Sequence, residues 1–231
     1  MNTRKGFLPL FVFFSLRLFA QTPDEIIDKH VKAIGGLDAW RKVQTMKVSG
    51  VIDENGTEIN IEYVTDNNKG SKQIVSFAGM QGYSIYTTTN GWNFYPWQGH
   101  MKAEAITPDE VKEQQDNLDA QTPLIDYKTK GHTAEYVGMD DFEGTECYKL
   151  KLTQKGGKVI TFYIDPSNYF IIQSVSRTKA NGVENEYKSS YSNYQKLPEG
   201  IWMAMKMNTI TLKNIQVNVP VDESTFKPTT N

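Results

Sequence analysis

One amphipathic stretch stands ahead of a long run of alternating segments, and that order leaves few folds open. Residues 23–50 read PDEIIDKHVKAIGGLDAWRKVQTMKVSG, with Ile26, Ile27, Val31, Ala33 and Ile34 at helical spacing on a single apolar stripe. Thr22 is placed to cap this helix, Pro23 suits its first turn, and Asp24 and Glu25 suit the positive end of its dipole. Gly35-Gly36 stops it, because glycine takes the left-handed conformation at little cost. A shorter helical piece follows over 37–43, with Trp40 and Val43 facing inward. One apolar helix face with many strands to cover it predicts a curved sheet wrapped over a helix.

The strands are announced by alternation and turn chemistry. Segments 44–53, 57–66, 71–77, 83–88 and 92–96 alternate, separated by Asn55-Gly56, 67–70, Gly79 with Gly82, and Asn90-Gly91. From 97 to 131 the alternation stops. Thr107-Pro108-Asp109-Glu110 opens a helix running to about 119, Pro123 interrupts, and a short turn or helix covers 124–130. This insert, 107–130, is a candidate lid. Strands resume at 133–139, 147–154, 158–164, 170–179, 183–195 and 201–212, with a last one at 215–219. Asn181-Gly182 and Pro198-Glu199-Gly200 mark two of their turns. About eleven or twelve antiparallel strands joined by short turns curl into a barrel or half-barrel.

The N-terminus reads as an export signal: Arg4 and Lys5, then an apolar run over 6–16, with Ala20 ahead of a cut before Gln21. That run is shorter than the ~20 residues needed to span a bilayer. Arg17 interrupts it and Leu18 is bulky for its position. The expectation is a signal peptide over 1–20, a single domain over 21–231, and a periplasmic location. Loss of Arg4, Lys5 and Arg17 takes the 25 basic residues to 22 against 27 acidic ones, a net charge of −5. Such a balance, without clustered Lys and Arg, argues against nucleic-acid partners and anionic membrane surfaces. Cys147 is the single cysteine, so an internal disulfide, a thiol-based metal site and a lipid anchor on a cysteine behind the signal are all excluded.

Catalytic patterns are missing. His30, His100 and His132 are far apart, and no HExxH, GxSxG, GxGxxG or P-loop occurs. Asp140-Asp141 and Glu143 fall at a turn, whereas a carboxylate pair for hydrolysis must be held at a defined gap in a cleft. Neither catalysis, cofactor nor metal is expected.

The distinctive content is apolar. Residues 201–212, IWMAMKMNTITL, place Ile201, Met203, Met205 and Met207 on one face, and methionine adapts to guests of varying shape. Trp92 and Phe94 share a face. So do Met46 with Val48, and Ile59 with Ile61 and Tyr63. Tyr148, Leu150 and Leu152 oppose Cys147, Lys149 and Lys151. Strand 158–164, carrying Ile160, Phe162 and Ile164, is apolar on both faces and should be covered on both. Each set reads equally well as packed core. Left incompletely filled, a half-barrel of this kind is a hydrophobic cavity. Its expected lining is Trp40, Met46, Val48, Ile59, Ile61, Tyr63, Trp92, Phe94, Tyr148, Leu150, Leu152, Phe162, Met203, Met205 and Met207. Acyl chains suit such a space, since each buried methylene contributes ~0.8 kcal/mol.

Six segments in this order, HVKAIGGLDAWRKVQTMKVSG, NGWNFYPWQG, PLIDYKTKGHTAEYVGMDDFEGTECYKLKL, VITFYIDPSNYFIIQS, SSYSNYQKLPEGIWMAMKM and NIQVNVPVDESTF, span almost all of the chain beyond the signal. In these the chain resembles the LolA-like outer-membrane lipoprotein-sorting proteins, in the form common among Bacteroidetes-type bacteria. The resemblance implies a half-open antiparallel β-barrel of about eleven strands over an N-terminal helix, closed by helices. It implies an apolar cavity for the acyl chains of lipoproteins or other lipids, taken from an inner-membrane ABC transporter and passed to an outer-membrane acceptor. A monomer without cofactor or catalysis is implied too. The proteobacterial carriers hold their lid with a strand-borne arginine. Here only Arg41 and Arg177 follow the signal, neither in the early strands, so that mechanism does not carry over. The alternative is an envelope sensor or interaction module using the same barrel.

Overall fold

The computed structural model describes residues 21–180 and 183–229; the expected signal peptide over 1–20 and the turn at Asn181-Gly182 lie outside them. Helix α1 (Pro23–Ala33) begins with a reciprocal cap: the Glu25 backbone N–H donates to the Thr22 hydroxyl at 3.2 Å, and the Thr22 N–H donates to the Glu25 carboxylate at 3.1 Å. Its buried face is Ile26, Ile27, His30 and Val31. Helix α2 (Leu37–Arg41) follows and buries Trp40.

All remaining strands belong to one sheet. They are β1 (Thr45–Glu54), β2 (Thr57–Asp66), β3 (Gly70–Phe77), β4 (Met80–Thr87), β5 (Gly91–Phe94) and β6 (Glu104–Ala105) before the insert. After it come β7 (Thr133–Phe142), β8 (Thr145–Thr153), β9 (Val159–Ile164), β10 (Ile171–Ala180), β11 (Val183–Lys196), β12 (Trp202–Met207) and β13 (Ile210–Val217). The order across the sheet is β6-β5-β4-β3-β2-β1-β13-β12-β11-β10-β9-β8-β7, antiparallel throughout. It is a meander whose first and last strands meet in the middle, and it does not close, because β6 and β7 remain edges. The insert, containing α3 (Pro108–Glu113), starts at one edge and ends at the other. This is the half-open arrangement expected.

Several local expectations need correcting. Residues 201–212 are not one strand: Asn208, at φ 51°, turns the chain, so Lys206 pairs with Thr211 and Met207 with Ile210. Residues 215–217 complete β13 and are no separate strand. Among the described residues there are 13 strands, not about eleven, and two-residue β6 lies inside the stretch read as strand-free. The insert helix ends at Glu113 and tightens into a 3-10 turn, Gln115–Leu118. Strand β9 is buried on one face only, through Ile160, Phe162 and Ile164; Val159, Thr161 and Tyr163 stay half-exposed, with only side chains such as Phe142 and Lys149 beside the Tyr163 ring on the outer face.

The interior divides in two. The larger cluster joins Ile26, Ile27, Val31, Ile34 and Trp40 to Met46, Leu150, Leu152, Phe162 and Ile164, and includes Leu124 and Ile125 from the insert. The smaller joins Val64, Tyr83 and Ile85 to Phe226, with Trp92 and Phe94 against it. Phe226 sits on a C-terminal 3-10 turn, Glu223–Phe226, and a Cβ on Gly70 would lie 2.6 Å from its ring.

Gly35 fixes the helices to the sheet. It adopts φ 118°, and an added Cβ would lie 2.5 Å from the Gly200 carbonyl oxygen. The same approach lets the Trp202 N–H donate to the Ile34 carbonyl at 2.8 Å. Gly36 also has positive φ, 87°, but open space around it. Gly36→Ala should therefore cost only the left-handed strain of about 1–2 kcal/mol. Gly35→Ala should cost clearly more, because backbone must also move; paired urea unfolding curves check the difference.

Candidate functional site

Between α1, α2, the insert and strands β9 to β13 lies a cavity of about 240 Å³. Its wall is Ile34, Trp40, Phe162, Ile171, Tyr191, Tyr194, Trp202, Met203, Ala204, Met207 and Leu212, with His30 on the helix side and Thr122 and Pro123 as cover.

A fork in the sheet provides the space. Strands β12 and β13 pair at only two positions beside their turn. Beyond these β13 follows β1 through a bulge after Ser49, while β12 follows β11. Trp202, Met203 and Ala204 on one side of the fork thus meet Leu212 on the other across the cavity. Strand β11 adds a second irregularity. Tyr191 and Tyr194 are three residues apart and in a regular strand would face opposite ways. Asn193 between them has φ 53°, and both rings reach the cavity.

Three polar tips of the wall are hydrogen-bonded within the protein. Trp40 Nε1 donates to the Ile34 carbonyl at 3.0 Å, and the Tyr194 hydroxyl donates to the Ile171 carbonyl at 2.7 Å. The Tyr191 hydroxyl pairs with Ser174 Oγ at 2.9 Å. Burial pushes the Tyr194 phenol well above its usual range. Phe170 stacks on Tyr194 at 4.3 Å between centroids and leans on Trp202 at 5.7 Å, which holds these rings from behind. The wall presents ring faces, alkyl groups and thioethers.

His30 is the buried exception, 2% exposed on the apolar face of α1. Its Nδ1 lies 2.7 Å from the Tyr169 carbonyl oxygen, which can only accept, so Nδ1 carries the proton. Burial lowers its pKa to about 4, opposed by that hydrogen bond. His132 is also shifted down by burial; its Nδ1 accepts from the Lys155 N–H at 3.0 Å.

The cover is held in two ways. Arg41 donates two hydrogen bonds of 2.7 Å to Asp126, and Lys128 pairs with Asp24 at 2.6 Å, where the Tyr127 hydroxyl also donates. Arg41 holds the Asp126 carboxyl below its usual range, and Lys128 with Tyr127 does the same for Asp24. These pairs sit at the surface, where each is worth ~0–1 kcal/mol. Leu124 and Ile125 are fully buried, worth about 1.5–3 kcal/mol each. The apolar plug therefore dominates, with Gln121 Nε2 adding donors to the Trp40 and Val43 carbonyls at 2.9 and 3.2 Å.

Of the lining expected from sequence, Trp40, Phe162, Met203 and Met207 lie on this cavity. Met46, Leu150 and Leu152 are buried in the adjoining core, with Val48 and Tyr148 packed against it. Trp92 and Phe94 belong to the smaller cluster, and Ile59, Ile61 and Tyr63 are half-buried outside both. Met205 is buried but does not reach the cavity wall. His30, although Ile26, His30 and Ile34 recur every four residues, is not in the lining expected from sequence. Neither are Tyr191, Tyr194 and Trp202, for which strand alternation gives no signal. The acidic group is a hairpin: Asp140 pairs with Lys149 at 2.7 Å, Asp141 accepts from the Gly144 N–H at 3.2 Å, and Glu143 turns the chain at φ 50°. Among the described residues no cluster of His, Cys, Asp and Glu is placed to hold a metal, and no helix is long and apolar enough to cross a membrane.

No family model and no curated protein matches the sequence. Solved structures do match in shape. A LolA superfamily protein from Nitrosomonas europaea aligns with TM-score 0.55 at 10% identity, over 90% of this chain and 99% of that one. A DUF1329 family protein from Desulfovibrio piger gives 0.54 at 13% identity, over 88% and 96%. A candidate outer membrane lipoprotein-sorting protein domain from Vibrio parahaemolyticus gives 0.50 at 12% identity, over 88% and 95%. At these identities the likeness is one of fold, and the fold is LolA-like.

Two measurements check this description. Because the His30 pKa is lower folded than unfolded, the unfolded chain binds the proton first as pH falls, and stability drops between about pH 6.5 and 4. The His30 share is about 2 kcal/mol between pH 7 and pH 5, with His132 adding in the same direction and Asp24 and Asp126 losing theirs only at lower pH. Urea unfolding at the two pH values should show a slope that His30→Phe makes shallower. For the cover, Ile125→Ala should destabilise by about 2–5 kcal/mol. Asp126→Ala should cost below ~1 kcal/mol in the same assay.

Proposed function

We propose that this chain is a periplasmic carrier that takes acyl chains of lipoproteins, or of other lipids, into the forked cavity for delivery to the outer membrane. In this reading the signal is cleaved after Ala20 and the carrier acts as a monomer, without cofactor or catalysis. Cargo arrives from an inner-membrane ABC transporter and leaves to an outer-membrane acceptor. The names of two fold neighbours, one a LolA superfamily protein and one concerned with lipoprotein sorting, support the assignment.

The observation that carries it is the wall. Trp40, Phe162, Tyr191, Tyr194, Trp202, Met203 and Met207 surround one space, and the polar atoms of Trp40, Tyr191 and Tyr194 are hydrogen-bonded within the protein. A hydrocarbon tail meets mainly ring faces, alkyl groups and thioethers there. At about 240 Å³ the space is just under the ~300–1,000 Å³ of ordinary ligand pockets. It accepts a length of chain as it stands. Longer tails require the fork between β12 and β13 to widen or the 119–131 segment to lift. Methionine side chains, with three rotatable bonds, adapt to that change at small cost.

Delipidated protein titrated with an uncharged fluorescent alkyl probe should bind it saturably, one per chain. Ala204→Phe, which places a ring in the cavity, should weaken binding by tenfold or more while the protein stays folded by circular dichroism. A wild-type titration that never saturates sinks the carrier reading.

A further inference from the structure

We propose that His30 Nε2 is a hydrogen-bond acceptor for the guest, so that the cavity selects alkyl chains carrying a neutral donor, a hydroxyl or an amide N–H. This rests on the carrier reading and deepens it. His30 forms part of the cavity wall, and its Nε2 is buried with no hydrogen-bond partner among the described residues. Since Nδ1 holds the proton against the Tyr169 carbonyl, Nε2 of the neutral ring is a lone pair. Burial keeps the ring neutral down to about pH 4, so that lone pair is offered throughout the neutral range.

The Nδ1 bond to the Tyr169 carbonyl orients the ring. Tyr169 accepts from His30 while itself in the left-handed region, φ 61°, where a tyrosine is rarely found. Its ring stacks on Tyr148 at 5.9 Å, and the Lys29 ammonium lies 5.3 Å from its centroid. The acceptor is therefore preorganised on an otherwise apolar wall, and a leucine would pack this helix face without leaving a buried polar atom unmatched. A donor on the guest completes it. A carboxylate fits badly, because an anion beside a lone pair is repelled and gives up its water for no bond at that nitrogen.

The test compares guests of equal length on the delipidated protein at neutral pH: dodecanol, dodecanamide, dodecyl methyl ether and dodecanoate, each displacing a fluorescent alkyl probe. Dodecanol and dodecanamide should bind roughly three- to tenfold tighter than the ether, and dodecanoate weaker than either donor. Whichever of the two donors leads distinguishes a chain hydroxyl from an acyl amide. His30→Phe should erase the preference over the ether. In case that variant does not fold, the nitrogen resonance of His30 Nε2 in the wild type should move with dodecanol and stay put with the ether. Equal binding of alcohol and ether, or a preference unchanged in His30→Phe, overturns this inference and leaves the carrier reading standing. Failure of every guest to bind overturns both.

Discussion

The apolar stripe of α1 against the larger half of the sheet is the contact on which the rest of this structure depends. A single face of three helical turns, Ile26, Ile27, His30 and Val31 with Ile34 beyond it, must cover strands that would otherwise lay their hydrophobic side open to water. Gly35 makes the approach close enough for backbone to bond backbone between Ile34 and Trp202. The helix position then sets everything beside it: Trp40 turns its indole to Ile34, and the insert lays Leu124 and Ile125 into what the helices leave uncovered.

Two short helices cannot fill a sheet of this width, and the sheet responds by dividing its interior. One half packs on the helices, while the other is plugged by Phe226 from the end of the chain. The cavity falls at the seam, where the last strand leaves its neighbour to pair with the first. The seam opens because β13 keeps its register with β1 through a bulge and pairs with β12 at only two positions beside their turn. Openness here follows from that local parting of two strands, and the wall is lined mainly with groups that do not ask for water.

The cover shows which force holds such a structure shut. Its ion pairs are conspicuous, and Arg41 to Asp126 is well aligned, but both partners keep contact with solvent. The buried Leu124 and Ile125 outweigh them. Arg41, on α2, faces the insert from the helix side.

Much of the architecture was legible along the chain. The Thr22 cap, the Gly-Gly stop, the Asn55-Gly56 and Asn90-Gly91 turns and the alternation of β2, β4 and β8 are local signals, and local physics decides them. The local signal is weak at Met207-Asn208-Thr209-Ile210, which turns without a glycine, so the alternation of the sequence runs straight through it. The site was less legible than the fold. Trp40, Phe162, Met203 and Met207 could be named in advance as apolar and inward-facing. Only the tertiary structure decided that these four share one space while Trp92, Phe94 and Met205 go elsewhere, that Asn193 brings Tyr191 and Tyr194 to the same wall, and that a buried histidine joins them. The physical reason is that periodicity tells which way a side chain points. Whether two such side chains meet, or leave a gap, depends on how strands far apart in sequence pair and part.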